Sequence, residues 1–167
     1  MQPSCGLGRG YAVTMHLPPL PESAIALAAR ASDWREAVEF AGTALERSGA
    51  TTHSYTARMV EMIDEFGAYI VIAPGLALAH ARPGPDVLAD GLSVVTLAEP
   101  VSFGHPHNDP VGVVIGLAVA TPDEHVTSVA ELANIFNDPG AIPALASAAT
   151  VADVQRIMSA GKEGTDR

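Results

Sequence analysis

The chain has 167 residues, 48% of them hydrophobic, and a formal net charge of −10. That size predicts one domain with a core large enough to stand without staples, and the composition is globular rather than disordered. The acidic balance repels phosphate backbones and anionic lipid, which excludes nucleic acid and membrane surfaces as natural partners.

Residues 1–21 read as a flexible N-terminal tail. Cys5–Gly10 is Gly-rich, and Pro18, Pro19 and Pro21 cannot sit inside a helix. Cys5 is the only cysteine, so no internal disulfide can form. Met15 is a candidate alternative start. No basic region followed by an apolar core marks a signal peptide, and no run of about 18 apolar residues is available to cross a membrane. The expectation is a cytoplasmic chain.

Residues 22–167 read as one mixed domain. Ala24–Ala28 predicts a strand. Asp33-x-x-Glu36 resembles a capping box; Trp34, Val38, Ala41 and Leu45 follow at helical spacing, and Gly49 stops the helix. A second helix begins near Thr52, with Tyr55, Met59, Met62, Ile63 and Phe66 as its apolar stripe and Gly67 just past its end. Tyr69–Ala73 and Leu76–Ala79 predict strands around the turn Pro74-Gly75. Leu92–Leu97, with Ser93 and Thr96, reads as a half-buried strand. Val111–Ala120 has no polar side chain, which predicts a central strand covered on both faces. Between those two lies a polar loop, Val101–Pro110.

The last third reads as helical. Thr121 as N-cap, Pro122 at N1 and Glu124 at N3 form a strong helix start, with Val126, Val129, Ala130, Ala133 and Phe136 in period. Thr150-x-x-Asp153 opens a final helix that places Val154, Ile157 and Met158 inside and ends at Gly161. The order of elements predicts an α/β (α+β) sandwich: a mixed sheet of about five strands with helices on both faces.

Three groups of residues could carry chemistry. His80 closes the apolar run Tyr69–Ala79, and strand ends facing a crevice are where α/β proteins place reactive groups. A neutral imidazole is nucleophilic at neutral pH, and Arg82, two residues on, could bind an anion. The alternative is a histidine that only hydrogen-bonds at a strand end. His125 falls in the first turn of a predicted helix, where amides and the helix dipole favour a phosphate; the alternative is a surface histidine. The loop His105-Pro106-His107-Asn108-Asp109 competes with both. Its alternating donors could hold zinc for a hydrolase, or the loop could be a turn set by Asn108-Asp109-Pro110. Neither a Gly-x-Gly-x-x-Gly, a Walker-type Gly-Lys-Ser/Thr, nor a Gly-x-Ser-x-Gly is present.

The stretch Gly67–Pro83 resembles the phosphorylation-site motif of the enzyme IIA domains of the sugar phosphotransferase system, mannitol/fructose type. Val101-Ser102-Phe103-Gly104, Asn108-Asp109-Pro110-Val111, and His125 with Val129–Ala133 match in order and spacing. The resemblance covers about residues 22–160. The stretch Phe103–Val111 is most like the ascorbate-type branch. Ala79 stands where the family usually has proline.

The resemblance implies that His80 accepts a phosphoryl group from the phosphohistidine of HPr and passes it to the cysteine of an enzyme IIB. It implies that His125 stabilises the phosphate. The residues themselves add Arg82 as a candidate phosphate ligand, and transfer between imidazole nitrogens of similar basicity calls for no metal or cofactor. The resemblance also implies that IIB and the membrane component IIC are separate chains. A regulatory protein on the same fold is the other reading of the resemblance. Monomer and homodimer both remain open.

Overall fold

The computed structural model describes residues 17–165. Most of the expected tail, with Cys5 and Met15, lies outside that span. The described end of it packs down: Leu17 and Leu20 touch the core, and Gln155 Nε2 donates to the Leu20 carbonyl at 3.1 Å.

Five strands are present among the described residues: β1 (Ile25–Ala29), β2 (Val71–Ala73), β3 (Leu76–His80), β4 (Gly91–Val101) and β5 (Val111–Ala118). They form one mixed sheet in the order β1-β4-β5-β3-β2. β1 runs parallel to β4 and β3 parallel to β5, while β4–β5 and β2–β3 are antiparallel. The helices are α1 (Trp34–Arg47), α2 (His53–Phe66), α3 (Pro122–Phe136), α4 (Ala141–Ala146) and α5 (Val151–Thr165). The predicted α/β sandwich is the observed one.

Strand alternation divides the core into two layers. On one face Ala77, Ala79, Val95, Leu97 and Val114 meet α1 and α2. On the other, Leu76, Leu78, Leu92, Val94, Ile115 and Leu117 meet α3, α4 and α5. The first face is built from small residues because α1 comes close: a Cβ on Gly116 would sit 3.3 Å from the Ala41 carbonyl and collide with Ser93 Oγ.

The helix starts follow their sequence signals. Asp33 accepts from the Glu36 amide at 2.9 Å, and Glu36 reaches back to the Ser32 amide at 2.8 Å rather than to Asp33 itself. Gly49 and Gly67 both take positive φ at helix ends, a region that favours glycine.

Four expectations need correction. β4 is buried on both faces, not half-buried; Ser93 Oγ donates to the Ala41 carbonyl and Thr96 Oγ1 accepts from the Ala28 amide, so each hydroxyl is paired without water. α3 buries Ser128, Glu131, Leu132 and Ile135, and leaves Ala130 and Ala133 exposed with Val126 at 68%. Its apolar residues cover several faces, so periodicity did not choose the inward one. Phe66 ends its stripe 57% exposed. α5 continues through Gly161 to Thr165.

Candidate functional site

β3 carries His80 to the edge of the core. Leu76 and Leu78 point toward the α3 layer, and the two-residue period sends the His80 ring the same way. Pro83 then breaks the strand. The first turn of α3 lies opposite, and there His125 meets His80 with ring centroids 5.0 Å apart at 39°. Tyr69 presses on His80 edge-on at 6.0 Å. The two histidines that the sequence places 45 residues apart are neighbours in the fold.

The hydrogen bonding of His80 fixes its chemistry. Nδ1 lies 3.0 Å from the Leu78 carbonyl oxygen, which can only accept, so Nδ1 carries the proton. Nε2 therefore holds the lone pair. Burial pushes the ring's pKa below its ordinary 6.5; the Leu78 bond opposes this and His125 adds to it. The imidazole is neutral, and nucleophilic, at neutral pH.

An open, largely apolar cleft of about 440 Å³ lies in front of the two rings, walled by Met62, Pro83, Pro122 and Val126, with Arg82 on its rim. Arg82 is exposed and also borders a second cleft of about 260 Å³ beside Arg58. Ala79 points to the opposite face, into the α1/α2 layer. Its departure from the family pattern adds no side chain to the cleft.

The start of α3 offers less to an anion than its sequence suggests. Pro122 has no amide hydrogen, the Glu124 amide is taken by Thr121 Oγ1, and the His125 amide by the Thr121 carbonyl. Asp123 and Glu124 add negative charge to the same turn. An anion placed here would meet the His125 ring and Arg82 before any free helix amide of Glu124 or His125.

The His105 loop lies elsewhere and is spent on itself. His105 Nδ1 accepts from the His107 and Asn108 amides, both at 3.1 Å. The Asp109 carboxylate accepts from the amides of Phe103, Gly104 and His105 and from Ser102 Oγ, at 2.7–3.0 Å. Burial pushes that carboxyl up, and these donors outweigh it and hold it below the ordinary value. Among the described residues no three His, Cys, Asp or Glu side chains group as a metal would need. The loop's histidine and carboxylate acceptors are committed to backbone donors of its own turn.

Sequence reasoning missed a second set of residues behind His80. Tyr55 reads as one more member of an apolar stripe, yet its hydroxyl bonds to backbone at the strand end. Arg58 pairs with Asp86, 28 residues on, and no spacing rule links them. The only local signal was a cation set beside an otherwise apolar face.

The family model for the EIIA 2 component of the phosphoenolpyruvate-dependent sugar phosphotransferase system matches residues 19–161. The ascorbate-specific PTS system EIIA component of Salmonella choleraesuis (strain SC-B67) is 34% identical over 133 residues, covering 79% of this chain and 86% of its own. The crystal structure of IIA mannitol from Escherichia coli superposes with a TM-score of 0.74 at 27% identity, over 84% of this chain and 99% of that one. The same enzyme IIA in complex with phosphorylated enzyme IIB gives a TM-score of 0.76 at 25% identity, over 86% and 99%.

Proposed function

The chain belongs to the EIIA 2 family of the phosphoenolpyruvate-dependent sugar phosphotransferase system, and we propose that it carries the phosphoryl group on His80 Nε2. Its coarse activity is that of the family, a phosphotransferase working in sugar uptake. The observation that supports the finer assignment is the bond from His80 Nδ1 to the Leu78 carbonyl, which leaves Nε2 as the basic nitrogen.

In the first step the Nε2 lone pair attacks the phosphorus of the HPr phosphohistidine. A new N–P bond forms as the donor's N–P bond breaks, and that electron pair returns to the HPr imidazole. The His80 ring gains positive character, and the Leu78 carbonyl accepts more strongly from Nδ1–H. Donor and acceptor are both imidazole nitrogens, so the step is near balance and calls for positioning and charge stabilisation more than for covalent machinery. His125 and Arg82 supply donors to the phosphate oxygens. Met62, Pro83, Pro122 and Val126 limit water around the ring and slow hydrolysis. In the second step a cysteine thiolate of enzyme IIB takes the phosphoryl group and His80 Nε2 leaves with its electron pair restored.

We place the IIB partner on a separate chain that works with a membrane IIC; an interaction of IIA with IIB is supported by the mannitol IIA of Escherichia coli, solved in complex with phosphorylated IIB. We place this chain in the cytoplasm, where transfer from HPr would take place. No helix among the described residues is long and apolar enough to cross a membrane. The sugar is ascorbate or a close analogue, a reading supported by the ascorbate-specific relatives. Incubation with enzyme I, HPr and labelled phosphoenolpyruvate tests the proposal. The expected product is an acid-labile phosphate on His80. An unlabelled chain, or label that survives His80→Ala, overturns it.

A further inference from the structure

We propose that Tyr55 and Arg58, one turn apart on α2, are positioning residues for phosphoryl transfer: they grip the two residues that follow His80 and so fix the imidazole from behind. The inference rests on the reading of His80 as phosphate acceptor and extends it to residues outside the cleft face.

β3 ends at His80, so the ladder to β5 stops there. The buried Tyr55 hydroxyl takes over. It accepts from the Ala81 amide at 3.0 Å and donates to the Leu117 carbonyl at 2.7 Å. Leu117 is the register partner of His80 on β5. One side-chain oxygen therefore ties together both strands at the level of the reactive ring. Burial pushes the Tyr55 hydroxyl up to about 12, so it stays protonated and keeps donating at working pH.

Arg58 holds the next residue. Its Nη2 donates to the Arg82 carbonyl at 2.8 Å, while Nε and Nη2 donate to the two oxygens of Asp86 at 2.8 and 2.6 Å. Asp86 is buried, and Ser54 Oγ also donates to it at 3.2 Å. The guanidinium carbon stands 5.3 Å from the centre of the Tyr55 ring, so the two grips brace each other. The loop closes tightly around this hub: a Cβ on Gly84 would lie 2.9 Å from Arg58 Nη2. Neither grip borders the His80 cleft, so each acts through the backbone that carries His80 and Arg82. Phosphoryl transfer depends on alignment of nucleophile, phosphorus and leaving group, and a displacement of about 1 Å can cost on the order of 100-fold in rate.

The test measures transfer from phospho-HPr against donor concentration for wild type, Tyr55→Phe and Arg58→Lys, each checked for folding by circular dichroism. The lysine keeps a cation beside Asp86 but loses the planar fork that binds Asp86 and the Arg82 carbonyl together. We expect the saturating rate to fall about tenfold in Tyr55→Phe and about threefold in Arg58→Lys, with half-saturation unchanged. The ¹⁵N resonances of His80 should shift in both. A purely structural role would lower melting temperature alone. Folded variants with the wild-type saturating rate and unshifted His80 resonances overturn the inference while leaving the His80 assignment intact. A wild-type chain that takes no label overturns both. Should Tyr55→Phe not fold, Arg58→Lys decides.

Discussion

Two histidine clusters stand on this molecule, and they use the same ring atom in opposite ways. At His80, Nδ1 donates to a carbonyl, so the second nitrogen keeps its lone pair. At His105, Nδ1 accepts from two amides, so the proton must sit on Nε2. His80 thus presents a base to an apolar cleft, while His105 serves as an internal cap for its own turn. Composition favours the loop, with two histidines and an aspartate in five residues. Hydrogen-bond direction favours the strand end. Side chains already committed to backbone donors hold structure, and those left with a free lone pair beside a cavity remain for chemistry.

The sharpest way to break this contrast is to remove each ring. His80→Ala should reduce phosphate labelling to background, while His105→Ala should keep the wild-type labelling rate within about twofold; radiolabel transfer from phospho-HPr reads both. Label retained in the first or lost in the second would erase the distinction. His125→Ala comes next. It should slow transfer by about 10- to 100-fold without abolishing label, because it removes a donor to the phosphate and not the nucleophile. Asp109→Asn attacks the other region. It weakens an acceptor shared by four donors and should cost about 1–3 kcal/mol of stability in denaturant titration, with labelling unchanged at temperatures where the chain stays folded.

Much of this was legible in the sequence, for identifiable reasons. The strand end at His80 and the capped start of α3 are signalled locally, by an apolar run ending before Pro83 and by Thr121-Pro122 with Glu124 at N3. The central position of β5 follows from a run without polar side chains. The inward face of α3 was not legible, because Val126, Val129 and Ala130 offer apolar surface on several sides and only docking against the sheet chooses among them. Nor was the burial of Ser93 and Thr96, whose partners, Ala41 and Ala28, are 52 and 68 residues away. The Tyr55–Arg58–Asp86 hub is of the same kind: each bond joins segments that periodicity treats separately.

The smallest expected effect bears on how the two rings at the strand end are coupled. The His80 pKa lies below 6.5 mainly through burial, and His125 pushes it the same way. Removing the His125 ring opens the cleft to water and removes the ring's lowering effect on His80, so both changes raise the His80 pKa toward its ordinary value. NMR titration of His80 should therefore show a higher midpoint in His125→Ala than in wild type, and the acid limb of the transfer rate should move to higher pH with it. Stability carries the matching sign. As pH falls through about 6.5 the unfolded chain binds a proton at His80 that the folded chain resists. The fold loses stability there until the folded ring also protonates, and the loss should be smaller in His125→Ala. An unchanged midpoint would mean that the 5.0 Å approach of the rings does not perturb His80. His125 would then act on the phosphate alone.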